Sequence, residues 1–124
     1  MPLVIFVDDS ETALASTRMV TDTMPIEVKQ YTNAPDALAE IQGGMTPDLI
    51  ITDLNMPVMN GFEFLQELRK VDALKRTPVL MLTTETKPEL KQQGKALGLT
   101  GWIVKPFNPA QLKQAIGRVL RLPA

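Results

Sequence analysis

The sequence predicts an α/β fold in which a five-stranded parallel sheet is covered by helices on both faces. Short apolar runs alternate along the chain with longer segments of helical periodicity, and the runs are apolar throughout, as in strands buried on both faces. Strict alternation makes the strands parallel, and right-handed crossovers place helices on both sides of the sheet. With 124 residues, we expect one domain over residues 1–124.

The first half of the chain is predicted as strand, helix, strand, helix and strand. The strands lie at about residues 3–7, 26–31 and 49–52. The first helix runs from Ser10 to Met24 before Pro25, and the second opens at Asn33 and ends at Gly43-Gly44. The apolar helix faces consist of Ala13, Thr17, Val20 and Met24, and of Ala34, Ala37, Leu38 and Ile41.

The second half continues the alternation. Asn60 and Glu63 form a capping-box pattern for the third helix, and Thr86 and Glu89 form one for the fourth, which ends at Gly98. The remaining elements are strands at residues 79–82 and 102–104 and a fifth helix at about 108–121. The buried faces are Phe64, Leu65, Leu68 and Val71 in the third helix, and Leu112, Ile116, Val119 and Leu120 in the fifth.

Polar side chains follow the carboxyl ends of four predicted strands: Asp8-Asp9, Asp53, Thr83 and Lys105-Pro106. In an open parallel sheet, ligands bind beyond these ends, where the connections of neighbouring strands leave for opposite faces. We therefore expect Asp8, Asp9 and Asp53 to converge. Three ionised carboxylates repel unless a cation lies among them, and oxygen ligands without His or Cys favour Mg²⁺ over zinc.

Composition excludes several classes of function. The net charge of -1 is not that of a nucleic-acid-binding protein, and no apolar stretch has the length of a membrane span or the flanks of a signal peptide. The sequence contains neither Cys nor His, so disulfides and imidazole chemistry are absent. We expect a cytoplasmic protein that acts through carboxylates and binds neither nucleic acid nor membrane.

The chain resembles the receiver domains of two-component response regulators, of the stand-alone chemotaxis CheY type. The resemblance spans the whole chain and rests on Asp8-Asp9, on the segment from Thr52 to Gly61 around Asp53, on Thr83, and on Lys105 with the following Pro-Phe. It implies a flavodoxin-like (βα)5 fold with strand order 2-1-3-4-5. It also implies a phosphoacceptor signalling protein with intrinsic autophosphorylation and autodephosphorylation, and not an enzyme in the ordinary sense.

The resemblance assigns a role to each residue of the expected pocket. Asp53 is the nucleophile that takes a phosphoryl group from a phosphohistidine of a partner kinase. Mg²⁺ is held by Asp9, Asp53 and the backbone carbonyl of Asn55, with Asp8 acting through a water. Lys105, placed by a cis peptide bond to the next residue, contacts the acids and then a phosphoryl oxygen.

Further residues are assigned to switching and to the lifetime of the signal. Thr83 donates its hydroxyl to the phosphoryl group, and the aromatic residue of the fifth strand, Trp102, rotates in response. Asn55 and Glu85 flank the approach of water and tune the rate at which the phosphoryl group is lost. Both side chains are polar, which predicts a short-lived phosphorylated state.

The resemblance also has implications for the partners of the protein. The resemblance implies a chemotaxis-type histidine kinase and a monomer that signals through the fourth helix, fifth strand and fifth helix to a flagellar motor switch protein, with a phosphatase as a further partner. Trp102 replaces the usual Tyr, and Lys91 and Lys95 replace small or apolar contact residues. A phosphate sink or an intermediate of another phosphorelay therefore stays open.

Two other classes of protein share part of this pattern. Haloacid-dehalogenase-like phosphatases also place an Asp nucleophile and Mg²⁺ at a strand end, but they need a second Asp two residues further on. Asn55 occupies that position and cannot serve as a general acid. A flavodoxin-like nucleotide-binding module would need a Gly-rich phosphate loop after the first strand, and the sequence has none there.

Overall fold

A computed structural model describes residues 1–123 as alternating strands and helices. The strands are β1 (Leu3–Val7), β2 (Glu27–Tyr31), β3 (Leu49–Thr52), β4 (Val79–Thr83) and β5 (Gly101–Val104). The helices are α1 (Glu11–Thr21), α2 (Ala34–Gln42), α3 (Gly61–Leu68), α4 (Pro88–Ala96) and α5 (Pro109–Leu120). All strand pairs are parallel and the order is β2-β1-β3-β4-β5. The predicted fold and strand order are confirmed.

The sheet separates two apolar layers, and successive residues of β1 point into opposite ones. Ile5 and Val7 pack with the buried faces of α2 and α3, whereas Val4 and Phe6 pack with residues of α1 and α5. This alternation is the normal geometry of a strand. Helices therefore cover both faces and leave the carboxyl ends of the strands open along one edge. Among the described helices, none combines the length and the apolar composition needed to cross a bilayer.

The predicted apolar face of α1 is confirmed at Thr17 and is otherwise displaced by about one position. Leu14, Thr17 and Thr21 are buried, while Ala13 and Val20 are only half-buried. Two threonines can be buried here because the Thr17 hydroxyl donates to the Leu14 carbonyl (2.9 Å) and the Thr21 hydroxyl donates to the Thr17 carbonyl (3.2 Å). The helix also ends at Thr21, so the predicted extension to Met24 is wrong.

In α5, Leu112 and Ile116 are buried as predicted, whereas Val119 and Leu120 are only half-buried. The predicted caps and extents of the helices after α1 are confirmed except at two points. Asn33, Asn60 and Asn108 cap α2, α3 and α5, and Glu63 completes the capping box of α3. Thr86 does not cap α4: Pro88 takes the first helical position, which makes Lys87 the N-cap residue, with no side-chain hydrogen bond. The other difference follows α3, where a single 3₁₀ turn over Asp72–Leu74 leaves Val71 outside the helix.

Candidate functional site

Three carboxylates meet at the open edge of the sheet. Val7 of β1 pairs with Thr52 of β3, so Asp8 and Asp53, the next residues of each strand, lie side by side. Oxygens of Asp8, Asp9 and Asp53 all lie within 4.8 Å of one another. Asp8 is buried, Asp53 is half-buried and Asp9 is exposed. The expected convergence of the acids is confirmed as geometry.

Lys105 supplies a positive charge to this cluster. It follows β5, and its ammonium group donates hydrogen bonds to Oδ2 of Asp8 and, at 3.3 Å, to Oδ2 of Asp53. The peptide bond between Lys105 and Pro106 is cis, as the resemblance implied. Burial works to lower the pKa of Lys105, but the hydrogen bonds and charges of the two carboxylates outweigh it and raise that pKa. The lysine therefore remains a cation.

The pKa of the Asp8 carboxyl is raised above its ordinary value, chiefly because burial disfavours the charged form. The hydrogen bond from Lys105 and that from the backbone N–H of Ser10 (2.9 Å) only partly offset this effect. Ionised carboxylates in this pocket are therefore energetically unfavourable, and a further cation bound among the acids would stabilise them.

Backbone contacts that sequence reasoning missed hold the Asp53 carboxylate. Its Oδ1 accepts a hydrogen bond from the N–H of Leu54 at 2.7 Å, which leaves Oδ2 facing Lys105. Gly61 closes the loop behind it, because a Cβ at this position would lie only 2.5 Å from the Asp53 carbonyl oxygen. A backbone N–H such as that of Leu54 cannot be predicted from residue type. The Asn60-Gly61 pair at the start of α3, however, could have indicated that the backbone passes close to Asp53 here.

The remaining predicted residues form a second group around the loop after β4. Thr83 is fully buried, and its hydroxyl accepts a hydrogen bond from the Glu85 N–H at 3.4 Å. The Glu85 carboxylate accepts one from the Asn55 side-chain amide at 3.0 Å. The Glu85 carbonyl accepts one from the indole N–H of Trp102, also at 3.0 Å. Glu85 thus touches every other residue predicted to act in switching or in signal lifetime.

A cleft of about 970 Å³ opens beside Lys105, between α1 and the start of α5. Its lining is mainly apolar and includes Phe107, Val20 and Met19, whose side chain is 78% exposed. The only charged residues in the described lining are Lys105 and Lys113. Sequence reasoning missed this surface because Val20 was assigned to the buried face of α1 and Met19 was assigned no role.

The geometry of this site is that of a known protein family. Residues 4–117 match the family model of the response regulator receiver domain. The chain belongs to this family. Receiver domains are phosphoacceptors of two-component signalling systems, and this membership favours that function over the phosphatase and nucleotide-binding alternatives.

Individual relatives point to chemotaxis. The receiver is 42% identical over 72 residues to chemotaxis protein CheY-3 of Vibrio cholerae, covering 58% of this chain and 55% of that protein. It is 30% identical over 121 residues to the sensor histidine kinase CheAY of Helicobacter pylori, covering 97% of this chain but 15% of the kinase. The solved chemotaxis response regulator CheY4 of Vibrio cholerae is 47% identical, with a TM-score of 0.88 and 96% and 98% of the two chains covered. The chain is therefore a CheY-like receiver.

The acid cluster of this receiver suits the magnesium ion that the family binds at an acidic pocket. Its donors are all carboxylate oxygens, which is the ligand type that Mg²⁺ prefers. The exposed Asp9 leaves the cluster accessible from solvent, and Lys105 occupies only the side toward Asp8 and Asp53. The residues present therefore fit a hard divalent cation.

Proposed function

We propose that this receiver takes a phosphoryl group on Asp53 from a phosphohistidine of a chemotaxis-type kinase, and in response changes the surface formed by α4, β5 and α5. The observation that carries the proposal is the shared contact of Lys105 with Asp8 and Asp53 at the open edge of the sheet. A cation and a fixed carboxylate placed together suit the capture of a phosphoryl group.

In the transfer step, one carboxylate oxygen of Asp53 attacks the phosphorus atom in line with the leaving imidazole. An O–P bond forms, the P–N bond of the phosphohistidine breaks, and the imidazole takes up a proton from solvent. Loss of the signal is the attack of water on the same phosphorus, which releases phosphate and restores the Asp53 carboxylate. The chain must therefore hold the attacking groups in position and balance negative charge.

The other residues of the pocket would bind and orient the group. The Leu54 N–H holds Oδ1 of Asp53, and Lys105 turns from the carboxylates to a phosphoryl oxygen. Mg²⁺ would be held by Asp9, Asp53 and the Asn55 carbonyl, with Asp8 through a water, and when bound it supplies positive charge that offsets the phosphoryl oxygens. The Thr83 hydroxyl, which lies next to this edge, would donate to another phosphoryl oxygen.

The cleft between α1 and α5 suits the domain that presents the phosphohistidine. It borders Lys105, and its lining includes the exposed Met19 and the half-buried Phe107. An apolar patch at the rim of an active site is a typical docking surface. The kinase partner would therefore contact α1 while its histidine reaches Asp53.

The proposed target of the phosphorylated form is the flagellar motor switch protein, with the receiver acting as a monomer and a phosphatase ending the signal. The similarity to chemotaxis proteins supports this choice. A second candidate is a phosphate sink or relay intermediate, which is favoured by the exposed Lys91 and Lys95 on α4 and by Trp102 on β5. Binding of the phosphorylated receiver to the purified switch protein separates the two candidates.

The central test uses Trp102, the only tryptophan in the sequence, as a fluorescent reporter. Addition of Mg²⁺ and then of acetyl phosphate should change its emission in two steps, with an acid-stable, base-labile phosphoryl group appearing on the protein. Asp53→Asn should keep the circular dichroism spectrum of the wild type and accept no phosphoryl group, because the amide keeps the shape and removes the nucleophile. Stable phosphorylation of that variant would refute the assignment of Asp53.

A further inference from the structure

The loop between β4 and α4 is held to the rest of the chain through Glu85. Its backbone N–H donates to Thr83, its carboxylate accepts from Asn55, and its carbonyl accepts from the indole N–H of Trp102. At the other end of the loop, Lys87 provides no side-chain cap to α4. The position of Glu85 therefore depends strongly on these three hydrogen bonds.

Trp102 packs against neighbouring side chains in the orientation that forms this hydrogen bond. Its ring lies 6.3 Å from that of Phe62, centroid to centroid, and packs with Leu90 of α4. A Cβ at position 94 would lie only 3.3 Å from the indole, so Gly94 allows α4 to approach the ring closely. In this packed orientation the indole N–H reaches the Glu85 carbonyl.

We infer that Trp102 is a positioning residue for loss of the phosphoryl group and acts through Glu85. The Asn55 amide and the Glu85 carboxylate are joined at 3.0 Å, and Asn55 lies two residues beyond Asp53. A water attacking Asp53-bound phosphorus would be oriented by this pair, and the pair is held in place from the far side by the indole N–H. This inference rests on the proposed function and adds a direct connection between the output surface and the lifetime of the signal.

The test is a double-mutant cycle on the decay of labelled phosphoryl protein after removal of donor. Trp102→Phe keeps an aromatic ring and removes the N–H, so it should slow the decay by roughly two- to tenfold, the range to which the net contribution of one hydrogen bond corresponds. Glu85→Ala should also slow it. If Trp102 acts through Glu85, adding Trp102→Phe to Glu85→Ala should change the rate no further.

Gln92→Ala is the control, because it changes an exposed side chain of α4 that lies outside the loop and outside the packing around the indole. It should leave the decay rate unchanged. The inference would be overturned if Trp102→Phe did not slow the decay. It would also be overturned if Trp102→Phe slowed the decay equally in the wild-type and Glu85→Ala backgrounds. In both cases the proposed function would stand. Failure of the wild-type protein to take up any label would overturn the proposed function, and this inference with it.

Discussion

Lys105 Nζ lies 3.3 Å from Oδ2 of Asp53, so a cation borders the carboxylate proposed to accept the phosphoryl group. The same ammonium group is hydrogen-bonded to the buried Asp8. Lys105 therefore stabilises the unphosphorylated pocket, in addition to its proposed role of binding a phosphoryl oxygen.

Replacing this lysine should affect both stability and switching. In the presence of a chelator, Lys105→Met should lower the free energy of unfolding by about 1.5–3 kcal/mol, the typical contribution of a hydrogen bond to a charged group. Mg²⁺ should restore more stability to this variant than it adds to the wild type. Urea titrations with and without Mg²⁺ measure both effects. Lys113→Met, which removes an exposed lysine of α5, is the control and should change neither.

In the same variant, Asp53 should still accept a phosphoryl group from acetyl phosphate, because the nucleophile is intact. The fluorescence change of Trp102 should be lost, since Lys105 is proposed to sense the new charge. A variant that switches normally once phosphorylated would show that another residue senses the phosphoryl group.

Asp8 and Asp9 should respond oppositely to removal in the metal-free protein. Asp9 is exposed, so Asp9→Ala should raise the melting temperature by relieving repulsion. Asp8 binds Lys105 and the Ser10 N–H, so Asp8→Ala should lower it. Calorimetric titration should show the larger loss of Mg²⁺ affinity for Asp9→Ala, the proposed direct ligand. Equal losses of affinity would mean that the two acids share the metal equally.

Glu85→Lys should prolong the phosphorylated state. The substitution removes the acceptor of the Asn55 amide and places a longer side chain across the proposed path of water. Loss of one hydrogen bond of about 1 kcal/mol corresponds to roughly fivefold in rate, and steric blocking would add to it. Glu89→Lys makes the same charge change on the exposed first turn of α4 and should leave the decay as in the wild type. A wild-type lifetime of hours would contradict the proposed short-lived signal.

Met19→Glu should slow transfer from a phosphorylated kinase domain without affecting phosphorylation by acetyl phosphate. Met19 lines the cleft beside Lys105 and is remote from the chemistry, so only a donor that docks there should sense the change. Gln66→Glu, an equivalent charge change on the exposed face of α3, is the control. Equal kinase rates for Met19→Glu and the wild type would exclude α1 as the docking surface.

Val58 should be a site of easy stabilisation. It is 91% exposed and has a φ of 74°, a left-handed conformation that a β-branched residue rarely adopts. Val58→Asn should raise the free energy of unfolding by about 1 kcal/mol through relief of this strain. The reverse change, Gly44→Val at a φ of 115° with open space around it, should lower it. Thermal denaturation should show a higher melting temperature for Val58→Asn and a lower one for Gly44→Val than for the wild type.

Sequence patterns predicted the buried face of α2 correctly and that of α1 only in part. In α1 the prediction included Thr17 but not Leu14 or Thr21. Thr21 is buried because the Thr17 carbonyl accepts from its hydroxyl, and hydropathy does not register such a local bond. The convergence of Asp8 with Asp53 followed from strand ends alone. The contact with Lys105 came only from the family resemblance, because the sequence does not reveal where a flexible side chain points.

The hydrogen bonds of Glu85 were beyond prediction for a different reason. Two of the three involve its backbone, which every residue type shares. The strained backbone of Val58 was also unpredictable, since its residue type argues against a left-handed conformation. Sequence reasoning therefore found the residues that carry charge and missed the main-chain contacts that hold them.

Because β1 is apolar on both sides, its interior does not define how it aligns with its neighbours. Sliding the strand by one residue, so that Phe6 takes the place of Val7, would exchange Val4 and Phe6 with Ile5 and Val7 between the two layers and would place no polar group in either. The alignment must be set at the strand ends, by the Asp48 carboxylate that accepts from the Leu3 N–H at 2.7 Å and by Asp8 beside Lys105. A one-residue insertion or deletion in β1 would thus be tolerated by the core and rejected by the acidic pocket. The pocket proposed to carry the signal therefore also selects the register of the central strand.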